Sequence, residues 1–223
     1  MSLMRLFKTV SVLTILLFSL VSCADKTAQL TPMNIVCLGD SITYGYKLNN
    51  PAMQSYPAQL AALSHGKWRV INCGVNGATA IKKGDIPIWS QKAYKRALAS
   101  NPDVVVLMLG TNDIKNSNWQ YKGDFVADYV ALVEQLQKLP SSPQVIACLV
   151  PPILIDYPNG LTAKRQLKIN MLVKTAVRES KAGTLDIYAA MESKPFLFSD
   201  GIHPNARGAQ EIAKRVFNKI NSQ

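Results

Sequence analysis

Histidine is scarce in this sequence: among 223 residues only His65 and His203 occur. An imidazole base must therefore be one of these two. A metal site drawn from Asp40, Asp113, Asp200 and His203 lacks a recognisable ligand spacing, so no metal and no cofactor is expected. Acids are also few, 14 against 25 Lys and Arg, for a formal net charge of +11. That excess favours anionic surroundings such as phospholipid headgroups, acidic cell-wall polymer or an acidic saccharide. Lysines spread over solvated faces are the plainer account. Only Lys82, Lys83, Lys92, Lys95 and Arg96 lie close enough in sequence to form a patch. No nucleic-acid-binding motif appears.

Cysteines are too few for a disulfide framework. Of four, Cys37, Cys73 and Cys148 sit within or at the end of apolar, strand-like runs and read as small hydrophobes. None has a turn motif or a neighbouring histidine, so a cysteine nucleophile is not expected. Internal repeats are absent, and so is any linker rich in Gly, Pro or Ser. With 48% hydrophobic content, the length suits one well-packed domain.

The N-terminus stands apart. Arg5 and Lys8 precede an uncharged apolar run from Thr9 to Val21, too short for a membrane span of about 20 residues. A basic start, an apolar stretch and a small residue before the cut fit a secretory signal. Leu20-Val21-Ser22-Cys23 resembles the lipobox of bacterial lipoproteins, which implies lipidation of Cys23; an ordinary cut near Ala24 is the alternative. The expected organisation is a signal peptide over 1–22, a polar tether over 23–32 and a folded domain over 33–223. Removing residues 1–22 takes Arg5 and Lys8 from the formal +11 and leaves +9. The expected location is the cell envelope, held to a membrane by lipid, with the outer membrane or cell surface a plausible destination.

Within the domain, short apolar runs alternate with helical patterns. Strands are expected at Asn34–Leu38, Arg69–Cys73, Asp103–Leu109, Val145–Val150 and Leu185–Ile187. Helices are expected over 56–63, 92–100, 123–139, 162–180 and the stretch before the C-terminus. In the helix over 123–139, Phe125, Tyr129, Leu132, Val133 and Leu136 recur at 3- and 4-residue steps. Continuous apolar strands between helices predict a mostly parallel five-stranded sheet covered on both faces. Loops after the first three strands would then share one rim, where such folds bind ligands.

Those loops carry chemistry. The first strand ends in Gly39-Asp40-Ser41-Ile42-Thr43-Tyr44-Gly45, which puts a hydroxyl at the rim, either as a cap or as a nucleophile. Acyl transfer by serine needs a base, a group that holds the base, and donors for the oxyanion. His65 ends an early helix with no carboxylate at a useful spacing. His203 follows Asp200 by three residues, so one turn can fold the carboxylate back onto Nδ1 and leave Nε2 free to accept a proton. Gly74-Val75-Asn76-Gly77 and Gly110-Thr111-Asn112-Asp113 close the second and third strands. Asp40 and Asp113 read as structural.

Together, Gly39-Asp40-Ser41-Ile42-Thr43, Gly74 to Gly77, Gly110-Thr111-Asn112-Asp113 and Asp200-Gly201-Ile202-His203-Pro204-Asn205 resemble the blocks of the SGNH (GDSL) hydrolase family, in order and spacing, across residues 33–220. The resemblance implies a flavodoxin-like α/β/α sandwich. It also implies Ser41 as nucleophile, His203 as base and then acid, Asp200 as its orienter, and an oxyanion hole from the backbone N–H of Ser41, the backbone N–H of Gly77 (Gly74 being the alternative alignment) and the amide of Asn112.

The segments at 55–60, 84–89 and 118–119 are similar to carbohydrate and sialate O-acetylesterase members of that family. Trp89, Trp119 and Tyr121 are candidates to stack on a sugar, or else to cover the core. Removal of O-acetyl groups from a saccharide is the expected activity. A lysophospholipase or thioesterase, a cell-wall O-acetyltransferase and a non-catalytic glycan-binding lipoprotein are the alternatives.

Overall fold

A computed structural model of the chain describes residues 31–222. The expected signal peptide, Cys23 and most of the tether lie outside the described residues. Strands β1 (Met33–Gly39), β2 (Trp68–Gly74), β3 (Val104–Met108), β4 (Gln144–Leu149) and β5 (Gly183–Asp186) form one sheet in the order β2-β1-β3-β4-β5. Every neighbouring pair is parallel. The central strand β3 is Val-Val-Val-Leu-Met and is buried at all five positions, as a strand covered on both faces must be. At the edge, β2 is largely half-buried.

Around the sheet lie α1 (Ser41–Tyr44), α2 (Pro51–Gln54), α3 (Tyr56–Leu63), α4 (Lys92–Ala99), α5 (Asn116–Trp119), α6 (Phe125–Gln137), α7 (Ala163–Ser180), α8 (Ile187–Met191) and α9 (Ala206–Asn221). α3 lies against α9, and α6 against α7. In α6 the buried residues are Phe125, Tyr129, Leu132, Val133 and Leu136, the helical stripe expected from the sequence. Two caps define the longest helices. The Thr162 side chain accepts from the Arg165 N–H to start α7, and Lys181 ends it with φ 56°. The Asn205 side chain accepts from the N–H groups of Arg207 and Gly208 and starts α9.

Register sets the site. Gly39 lies opposite both Gly74 and Met108, so β1, β2 and β3 finish level and release their loops along one rim. Local boundaries differ from the periodic pattern where caps intervene. Residues 122–124 form a 3₁₀ turn ahead of α6. The strand expected at 185–187 ends at Asp186, because the Asp186 carboxylate accepts from the Ala189 N–H and turns Ile187 into α8. Buried Cys37, Cys73 and Cys148 are unpaired, and burial pushes the Cys37 thiol upward, which suits an inert core residue.

Candidate active site

Ser41 sits at the sharp exit of β1. Asp40 Oδ1 accepts from the Ile42 N–H at 2.9 Å, so Asp40 is the cap and Ser41 the first residue of α1. Ser41 Oγ lies 3.0 Å from His203 Nε2. On the far side of the ring, His203 Nδ1 lies 2.8 Å from Asp200 Oδ2. Asp200 Oδ1 accepts from the N–H groups of Ile202 and His203 at 3.1 and 2.8 Å, which folds the Asp200–His203 turn. Partial burial raises the Asp200 carboxyl, but the His203 backbone, the His203 ring and the Ile202 N–H outweigh it and hold the group below its usual range. An ionised carboxylate can only accept. Nδ1 therefore donates to Asp200, and Nε2 is the ring nitrogen that faces the Ser41 hydroxyl.

The turn is braced from behind. The Tyr157 hydroxyl donates to the Asp200 carbonyl at 2.6 Å, and the Leu154 N–H donates to the Gly201 carbonyl at 2.8 Å. The loop over 153–161 thus supports the histidine. Lys47 Nζ stands 3.8 Å from Asp200 Oδ2. His65, the other imidazole, is exposed at the end of α3 with φ 49°.

On the same rim, the loops after β2 and β3 come together. Among the described residues the N–H groups of Ser41 and Gly77 have no acceptor in the protein. Gly77 has φ 80°, and a Cβ there would come 2.9 Å from Ile86 Cδ1, so a side chain is excluded by both conformation and space. Asn112 Nδ2 donates to the Ala78 carbonyl at 3.2 Å and lies 3.5 Å from Asp40 Oδ2. The second contact is at the limit of a hydrogen bond. All the residues expected to act in acyl transfer therefore converge on one rim.

Behind this face run structural contacts; that of Asp113 was expected from the sequence, those of Asn118 and Lys115 were not. Asp113 accepts from the Ala80 and Ile81 N–H groups at 3.1 and 2.8 Å, tying the Gly77 loop to the Asn112 loop. Burial pushes the Asp113 carboxyl up to about 7 and Asp40 up to about 6. Buried Asn118 accepts from the Asp85 N–H at 2.9 Å and donates to Asp85 Oδ1 and to the Asn112 carbonyl, each at 2.8 Å. Lys115 Nζ pairs with Asp85 Oδ2 at 3.4 Å.

The three aromatics considered for sugar stacking, Trp89, Trp119 and Tyr121, are half-buried against the core. Tyr46 is the ring that meets His203; only its place just after the serine turn hinted at this. In the basic cluster, Lys82 and Lys83 pair with Asp128 and Asp124, and Arg96 donates to the Asn72 carbonyl. A cavity of about 710 Å³ beside β2 and α3, lined in part by Tyr44, Asn72 and Arg96, includes none of Ser41, Asp200 or His203.

A parallel α/β sandwich with a hydroxyl, an imidazole and a carboxylate in series at its C-terminal rim is the architecture of serine-dependent acyl-transfer proteins. The chain belongs to the GDSL-like lipase/acylhydrolase family, whose pattern matches residues 37–211. It is 32% identical over 205 residues to an acetylxylan esterase from Xylanibacter ruminicola, covering 82% of this chain and 42% of that protein. It is 26% identical over 123 residues to a multidomain esterase from Ruminococcus flavefaciens, covering 54% of this chain and 16% of that one. The chain thus spans less than half the length of these curated relatives. Among solved structures, an inhibitor-bound aryl esterase from M. smegmatis superposes with TM-score 0.70 at 19% identity, covering 85% of this chain and 99% of the other. A carbohydrate acetylesterase from Sinorhizobium meliloti superposes with TM-score 0.65 at 20% identity and the same coverages. These two establish kinship of fold.

Proposed function

We propose that the chain is a serine esterase that removes acetyl groups from a saccharide. The observation that carries this reading is the unbroken relay from Ser41 Oγ through His203 to Asp200, at 3.0 and 2.8 Å. In the first half-reaction Ser41 Oγ attacks the ester carbonyl carbon and its proton passes to His203 Nε2. The carbonyl oxygen, now an anion, is held by the N–H of Ser41, the N–H of Gly77 and the amide of Asn112. The carbon–oxygen bond to the sugar then breaks and the departing oxygen takes the proton from Nε2. Water, deprotonated by the same nitrogen, attacks the acetyl-serine carbonyl; the bond to Ser41 Oγ breaks, Oγ takes the proton back from Nε2, and acetate is released.

The saccharide part of the reading is supported by the relative described as an acetylxylan esterase and by the short segments similar to carbohydrate acetylesterases. The test is a chain-length series from acetyl to palmitoyl esters together with acetylated xylo-oligosaccharides. Fastest turnover on acetyl esters, with acetate released from the oligosaccharide, is expected; a preference for long chains would instead indicate a lipid substrate. We also propose that residues 1–22 are removed and Cys23 carries acyl chains. Incorporation of labelled fatty acid that is lost in Cys23→Ala is the expected result, and label retained in that variant excludes it.

A further inference from the structure

In an ester cleaved by serine and histidine, the nitrogen that takes the serine proton must return it to the departing oxygen. The leaving alcohol therefore lies on the His203 side of Ser41, while the carbonyl oxygen points to the loops of Gly77 and Asn112. On the His203 side stands Tyr46. Its ring meets the imidazole edge-on, with centroids 4.9 Å apart and planes at 64°, yet the residue is 44% exposed.

The position of Tyr46 is built. Its N–H donates to the Ser41 carbonyl at 2.9 Å. The preceding Gly45 has φ 92°, and a Cβ there would lie 2.9 Å from Ser55 Cβ, so the turn admits no side chain. The following Lys47 takes φ 67°, an uncommon conformation for a residue with a Cβ, and it reaches Asp200 at 3.8 Å. Beside the turn opens a polar cleft of about 280 Å³ whose lining includes Lys47, Asn49, Gln54 and Asn205. Lys47 links the ring to the cleft, since its Nζ lies 6.0 Å from the centroid of the Tyr46 ring and it also lines the cleft. An exposed ring next to a polar cleft suits a pyranose, which offers a C–H face to the ring and hydroxyls to the polar groups.

We propose that Tyr46 and the adjoining cleft of Lys47, Asn49 and Gln54 form the subsite for the sugar ring that bears the scissile acetyl group, and that this subsite sets the preference for saccharide over simple alkyl esters. The proposal rests on the esterase reading above and extends it to the alcohol half of the substrate.

The experiment compares kcat/KM for an acetylated xylo-oligosaccharide with that for ethyl acetate, whose alcohol is too small to stack, in the full chain. Tyr46→Ala is expected to lower the saccharide-to-ethyl ratio by about tenfold, the scale of one aromatic contact, and Tyr46→Phe to keep it within about threefold. Tyr46→Leu keeps apolar bulk without a planar ring. It is expected to fall as far as alanine, and it carries the test if the alanine variant does not fold. An unchanged ratio in Tyr46→Ala or Tyr46→Leu would overturn the subsite. So would an equal loss on both esters with a displaced pH–rate profile, which would make Tyr46 a positioning group for His203. A wild-type protein that cleaves ethyl acetate but no acetylated saccharide would instead overturn the substrate reading itself, and the subsite with it.

Discussion

Ser41 Oγ and His203 Nε2 lie 3.0 Å apart although 162 residues separate them in the chain. One comes from the end of β1 and the other from the turn before α9, so the pair exists only when the sheet and its covering helices are assembled. Ser41→Ala removes the hydroxyl and no contact that the fold depends on. Ester turnover is expected to fall by about 10⁴-fold or more, with an unchanged unfolding midpoint by circular dichroism. Retained turnover would exclude Ser41 as nucleophile.

Asp200 and His203 link stability to acid. The Asp200 carboxyl is held below its ordinary value of 3.8, so its hydrogen bonds stabilise the fold above that value. The contribution is lost as pH falls through the lower folded value. Asp200→Asn is expected to reduce the loss of stability in strong acid, read by urea unfolding below pH about 4. It should also lower turnover at neutral pH, by about 10⁴-fold on the precedent of triad aspartates.

The buried pair Asp40 and Asp113 works in the opposite direction. Burial raises them to about 6 and about 7, so between pH about 4 and about 7 the folded chain binds protons that the unfolded chain does not. Stability from this source is greatest near the acid end of that window and falls as pH rises through it. Asp113→Asn is expected to flatten the slope. It also sets an NH₂ group against one of the two N–H donors, Ala80 or Ile81, at a cost of about 1–3 kcal/mol. A denaturation series across the window measures both effects.

Asn118 joins the two loops behind the proposed oxyanion donors. Asn118→Ala leaves the Asn112 carbonyl and the Asp85 N–H without their partner, a loss of about 1–3 kcal/mol in stability. With Asn112 less firmly held, kcat is expected to fall about tenfold or more while KM changes less. A rise in KM alone would show that Asn118 serves binding and not placement of the donor.

The parallel five-stranded sheet and the convergence of the site were legible because they rest on signals that survive in one dimension. Apolar runs such as Val104–Met108 and the Asp200–His203 spacing need no knowledge of distant partners. Contacts between loops were not legible. That Asn118 would reach Asp85 and Asn112, or that Tyr157 would brace the Asp200 carbonyl, depends on loop paths set by neighbouring strands. Trp89, Trp119 and Tyr121 show the same limit. An aromatic beside a motif reads alike whether it faces solvent or packs inward, and only the fold separates these three from Tyr46. Helix and strand ends shifted by a few residues where a cap such as Asp186 outcompeted the apolar pattern.

The central claim is that one hydroxyl, at residue 41, becomes acylated. Incubation with an activated organophosphate ester, followed by peptide mapping by mass spectrometry, tests it most directly. A single phosphoryl group on the peptide containing Ser41, formed in step with loss of esterase activity and absent in Ser41→Ala and His203→Ala, is the predicted result. Labelling of a different residue, or full activity remaining after Ser41 is modified, would contradict it.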